Sequence, residues 1–169
     1  MRIAPPLLIL ALGLTTAGCS TPIDLKQALQ VVDISGGYLD GGIVDGRNKI
    51  IPTISFRVKK STDRSISPLS LNLSFRKLPP PGVTPAPGSP AEEEWDSVFA
   101  QSVTFDGNQT ALLTYKLNAG FTGDAPQSRA EILKNSHFQD VRVHIFAKHS
   151  SSQWVEIGQH DLPRQLITQ

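Results

Sequence analysis

Apolar and polar positions alternate at period two along much of this chain, the spacing of strands that bury one face. The clearest run is Leu69-Ser70-Leu71-Asn72-Leu73-Ser74-Phe75-Arg76, with four apolar side chains on one side and small or polar ones on the other. Ile50 to Val58 repeats the pattern: Ile54, Phe56 and Val58 share a face, opposite Ser55 and Arg57. Pro52 lacks an N–H and so places the start of that strand at an edge or a strand beginning. Polar Lys60-Ser61-Thr62-Asp63-Arg64-Ser65 separates the two runs, which read together as an antiparallel pair. In Val141 to Lys148, Val141, Val143, Ile145 and Ala147 point inward, which leaves Phe146 on the outer face with Arg142, His144 and Lys148. Trp154 to Ile157 is its predicted hairpin partner, turned at Ser150-Ser151-Ser152. Further strands are predicted over Leu29–Ile34, Glu94–Val103 and Thr110–Leu117, with a final short one over Leu162–Ile167.

Between these runs the punctuation is clear. The glycine-rich stretch Gly36 to Gly42 and the following Asp45-Gly46-Arg47-Asn48 predict turns, because glycine and Asp-Gly accept positive φ. Ser128-Arg129-Ala130-Glu131 has the spacing of a capping box and predicts a short helix from Arg129 to Asn135, after a turn at Gly123 to Pro126. Residues 78–91 are rich in proline and read as an exposed, stiff loop, not a domain boundary, since strands resume directly after it. Seven or eight strands at this spacing predict an all-β fold, an immunoglobulin-like antiparallel β-sandwich with one short helix, occupying residues 29–169.

The N-terminus follows a different logic. Arg2 precedes a short apolar run, Leu7 to Leu14, and then small residues, the layout of a secretory signal over residues 1–18. The run is too short to span a hydrocarbon core, which takes about 20 apolar residues. Ala17-Gly18-Cys19 resembles the lipobox of bacterial lipoproteins, in which small residues precede the cysteine that is acylated and becomes the new N-terminus; Thr16 stands where that family usually has Leu. Cys19 is the sole cysteine, and a lone thiol in an oxidising compartment calls for a chemical use. The resemblance implies a lipid anchor at Cys19, a tether over residues 19–28 and, from Ser20, an outer-membrane address facing the periplasm. The competing expectation is cleavage after Ala17 by the ordinary signal peptidase, releasing a soluble protein.

Charge narrows the function classes. The chain has 16 Lys+Arg and 15 Asp+Glu, and the two balance once Arg2 leaves with the signal. A neutral surface with no basic cluster beyond Lys59-Lys60 argues against nucleic acid as a partner and against electrostatic capture by anionic lipids. Four histidines (His137, His144, His149, His160) lack cysteine partners or a His-Glu-x-x-His helix, and Asp33, Asp40, Asp45 and Asn48 lack the calcium-loop register, so no metal or other cofactor is expected. No Gly-x-Ser-x-Gly elbow is present, and Glu92-Glu93-Glu94 reads as a solvated charge run. The candidate interaction surface is Arg142, His144, Phe146 and Lys148 with Trp154, a set that is equally able to lie beneath the helix after Ser128.

The alternation through Phe75, the Ile145-Phe146-Ala147-Lys148 strand and the Trp154 hairpin resemble the small immunoglobulin-like accessory domains of bacterial envelope proteins, of the FxLYD and late-embryogenesis-abundant type. That resemblance implies binding or scaffolding without catalysis. The expectation is therefore a non-enzymatic, membrane-anchored accessory or adaptor with an envelope protein partner; the alternative is a periplasmic module that binds a small ligand or glycan.

Overall fold

Side chains of alternate residues on long strands fill a single core between two antiparallel sheets, and the chain is a β-sandwich. The computed structural model describes residues 22–80 and 82–168. Its strands are β1 (Leu29–Val44), β2 (Arg47–Lys60), β3 (Leu69–Lys77), β4 (Glu93–Val103), β5 (Phe105–Asp106), β6 (Gln109–Thr110), β7 (Leu113–Lys116), β8 (Phe121–Thr122), β9 (Val141–His149) and β10 (Val155–Asp161). One sheet has β2 at its centre, with β1 on one side and β6, β7 and β8 in succession along the other. The second runs β10-β9-β3-β4. Ile50, Ile54, Phe56 and Val58 of the first sheet are buried, as are Leu69, Leu71, Leu73 and Phe75 of β3 and Val141, Val143, Ile145 and Ala147 of β9. These are the inward faces that the alternation assigns.

Two short helices are present where one was expected. α2 (Arg129–Lys134) carries the capping box: Ser128 Oγ accepts from the Glu131 N–H and the Glu131 carboxylate accepts from the Ser128 N–H. α1 (Leu25–Ala28) is capped by Asp24 and buries Leu25 and Ala28, so the packed chain already begins within the stretch read as tether.

Several expectations are corrected. β2 and β3 are not an antiparallel pair: they lie in different sheets, and β3 pairs with β4 and β9. Alternation fixes which side chains point inward, and two strands facing each other across a core satisfy it as well as two neighbours do. The proline-rich segment is therefore the connection of a β3–β4 hairpin. Secondly, β1 does not stop at Ile34 but continues through the glycines to Val44, and only Asp45-Gly46 turns. Both turn residues have positive φ, the requirement of a two-residue hairpin whose twist matches its strands. Gly36 instead makes room for the C-terminal segment, since a Cβ there would meet Leu162 Cδ2 at 2.6 Å. That segment, Leu162–Ile167, is not a strand; it makes one parallel bridge, Leu166 with Tyr38, through hydrogen bonds to the Tyr38 N–H and carbonyl.

Thirdly, Pro52 lies in the middle of β2, not at its start. Its carbonyl accepts from the Leu117 N–H at 3.2 Å, so its side without an N–H faces β7 and β8. The predicted strand Thr110–Leu117 is divided at Ala111 and Leu112, between β6 and β7, and a second interruption follows it opposite Pro52. β7 ends opposite Thr53 and β8 begins opposite Ile50, with no ladder partner at Ile51 or Pro52 between them. The gap falls where β2 cannot donate.

Tyr38 is fully buried, edge-on to Phe138 at 5.3 Å and to Phe121 at 6.2 Å. Its hydroxyl has no hydrogen-bond partner among the described residues. Burial, reinforced by the nearby Asp140 carboxylate, pushes the phenol well above its ordinary range. Because a buried unpaired hydroxyl costs about 1–3 kcal/mol, Tyr38→Phe is expected to leave stability unchanged or raise it by up to that amount. Urea unfolding checks this, and a loss above roughly 1 kcal/mol would show that the hydroxyl is satisfied after all.

Candidate functional site

The outer face of the β10-β9-β3-β4 sheet holds the candidate residues. Outward positions on β9 are Arg142, His144, Phe146 and Lys148, and Trp154 stands just before β10. The structure brings all five onto this face and divides them into an ionic half and an aromatic half. Helix α2 does not bury them: Phe146 is half-buried and Trp154 is 37 % exposed.

In the ionic half His144 is enclosed by carboxylates. Nε2 lies 2.7 Å from Glu92 Oε2 and Nδ1 lies 3.1 Å from Glu156 Oε1. Arg142 donates from Nη1 to Glu92 Oε1 at 2.9 Å, and from Nε and Nη2 to the two oxygens of Asp161. Arg76, opposite Arg142 on β3, approaches Glu92 at 3.8 Å and donates from Nε to Ser74 Oγ. The hydrogen bond from Arg142 holds the Asp161 carboxyl below the usual carboxylate range, against the opposing effect of its partial desolvation. Such a paired guanidinium and carboxylate form a planar two-bond contact that fixes both side chains. Glu92 is thus the hub of a partly buried network, its side chain only 14 % exposed.

The sequence reading of Glu92-Glu93-Glu94 as a uniform solvated run missed this. Glu93 and Glu94 are exposed, whereas Glu92 ends the proline-rich connection and turns back over β9. Nothing local in the triplet marks the difference.

The aromatic half has a different character. Trp154 and Phe99 of β4 meet across β9 and β3, their ring centroids 5.6 Å apart and nearly perpendicular. The Lys148 ammonium lies 5.9 Å from the Trp154 ring, a cation–π geometry. Phe146 stacks on His144 at 6.3 Å and so joins the two halves. Asn72, in register between Phe146 and Phe99, has a buried Oδ1 with no hydrogen-bond partner among the described residues. Phe99 is 53 % exposed and was absent from the candidate set. Its signal lies in the sequence, as an aromatic side chain in the middle of the predicted strand Glu94–Val103.

β4 is also an open edge: among the described strands it pairs only with β3. From Asp96 to Ala100 its register is continuous, between an irregularity near Arg76 and another near Leu69. Natural edges are commonly blunted by charge, proline or bulges. Here Glu93, Glu94 and Asp96 charge one end, while Ser97-Val98-Phe99-Ala100-Gln101-Ser102-Val103 carries no charge at all.

The remaining candidates are dispersed. Asp33 pairs with Arg57, Asp40 with Arg129, and Asn48 donates to the Gln127 carbonyl. Among the described residues no three His, Cys, Asp or Glu side chains converge in a metal-holding group, and no helix is long and apolar enough to cross a membrane. The signal segment and Cys19 lie outside the described residues. No family model, curated protein or solved structure matches the chain.

Proposed function

We propose that this is a non-enzymatic envelope lipoprotein, anchored through Cys19 and serving as an accessory or adaptor that docks an extended segment of a partner protein on the open edge of β4. The observation that carries the proposal is that edge: an uncharged run, unpaired on its outer side among the described residues, that includes the more than half exposed Phe99. A strand added to such an edge gains main-chain hydrogen bonds, and a protruding aromatic side chain supplies the apolar contact that selects the partner. The lipobox-like Ala17-Gly18-Cys19 supports a membrane anchor, with an outer-membrane address facing the periplasm.

The ionic half supports a structural role over a catalytic one. Both ring nitrogens of His144 already face carboxylates, which leaves neither free to take a proton from a substrate. The alternative, a small-ligand or glycan binder, calls for a concave aromatic pocket, whereas the Trp154–Phe99 contact crosses a sheet face.

The test is Phe99→Lys. Placing a charge on an exposed position is expected to change stability by less than about 0.5 kcal/mol. Recovery of a stoichiometric partner after in-cell crosslinking is expected to fall at least tenfold. Equal recovery from the variant and the original chain would reject the edge as the docking site.

A further inference from the structure

We infer that one end of the sandwich, formed by the β9–β10 turn, the loop at residues 61–65 and Trp154, lies against the lipid headgroups of the membrane that holds the anchor. The inference rests on the anchored reading above and adds an orientation to it.

The geometry begins at Pro22, the first described residue. Pro22 and Ile23 line one open concavity with Arg64, Ser65 and the turn residues Ser150 to Ser152. Only three residue steps separate Pro22 from Cys19. Fully extended, those steps span about 10 Å, at roughly 3.3–3.6 Å each. The polar layer on each side of a bilayer is itself about 5–8 Å thick. Acyl chains on Cys19 that enter the hydrocarbon therefore keep Pro22 within a few ångström of the headgroup layer even at the full reach of the three steps. The domain has no room to stand further off than that.

The side chains at this end suit that position. Trp154, two residues beyond Ser152, is partly exposed, with the Lys148 ammonium beside it. An indole with an adjacent ammonium matches an interface that offers apolar carbon, dipolar headgroups and phosphate together. Arg64 and His149 stand by the same turn, and the turn itself consists of small hydroxyl side chains. The opposite end of the molecule is the Asp45-Gly46 turn, separated from this one by the 16 residues of β1. At roughly 3.3 Å per residue the two ends are separated by at most about 50 Å. β4, which begins at the far end and runs toward the membrane, keeps its free edge accessible from the side.

The experiment uses the full acylated chain in vesicles of phosphatidylethanolamine and phosphatidylglycerol. Trp95→Phe leaves Trp154 as the only tryptophan. A nitroxide on the lipid headgroup is expected to quench Trp154 emission at least twofold more than a nitroxide near the acyl-chain end. Since Trp95 packs against the core, a second probe guards against misfolding: a fluorophore on Gln153→Cys, the one free thiol once Cys19 is acylated, compared with the same label on Asp45→Cys. Headgroup quenching at position 153 but not at 45 supports the orientation. Equal or absent quenching at the two ends in protein whose mass shows acyl chains overturns this inference alone. A mass without acyl chains overturns the anchor, and the orientation falls with it.

Discussion

Phe75→Ala is expected to destabilise the domain by about 3–5 kcal/mol, the usual cost of removing a fully enclosed phenyl ring. Phe75 has no exposed surface and belongs to β3, which is flanked by β4 and β9 in the middle of its sheet. Its neighbours are backbone-paired strands that cannot close over the vacated space without breaking ladder bonds. A domain of this size has a total stability of about 5–15 kcal/mol, so the change removes a large part of the reserve. The melting temperature should fall by roughly 6–20 °C, at about 2–4 °C per kcal/mol for this chain length. A fall under about 3 °C would mean that the ring does not sit at the centre of the core.

The second large effect is expected at Glu92. Glu92→Ala removes the carboxylate that Arg142 and His144 share, leaving Arg142 with Asp161 alone and His144 with Glu156 alone in a partly buried site. Losing a charged partner from such a site costs about 1.5–3 kcal/mol, mainly through the groups left behind. Glu93→Ala and Glu94→Ala, in the same triplet but exposed, should each stay within about 0.5 kcal/mol. If the penalty comes from the groups left behind, His144→Leu in the Glu92→Ala background should cost much less than the two single changes added together. Urea unfolding of the four proteins in this cycle gives the coupling energy directly. Additive effects would show that Glu92 and His144 do not depend on each other and would dismantle the network described here.

How much of this was legible in the sequence follows from what periodicity encodes. The inward faces of β2, β3 and β9, the capping box before α2, the hairpin at Ser150–Ser152 and the Asp45-Gly46 turn all come from local rules, and each is present. The sheet partners of β2 and β3 were not legible, because a half-buried strand has the same pattern whether its neighbour lies beside it or across the core. Gly36 and Gly37 read as turn residues until Leu162 and Gln165 are seen packed against them, a contact between positions more than 120 residues apart. Pro52 was misplaced because its cost depends on what lies opposite its missing N–H, and there the neighbouring strand is interrupted.

The candidate surface was half legible for the same reason. Arg142, His144, Phe146 and Lys148 share a face by parity alone. Their division into an ionic and an aromatic half depends on Glu92, Glu156, Asp161 and Phe99, which come from three other segments. No spacing within β9 announces them. What sets Phe99 apart from Phe75 is only which way its strand faces, and that became readable once β4 was placed at the edge of its sheet.

The central claim is an anchored domain whose β4 edge receives a partner, and it is tested most directly by in-cell photocrosslinking from position 99 with intact-mass measurement on the same purified sample. The account predicts a chain beginning at an acylated Cys19 and a single stoichiometric adduct from position 99 that is absent when the same crosslinker replaces Asp124, an exposed residue of the turn before α2. A chain without acyl groups, or adducts of equal yield and no preference from both positions, would contradict it.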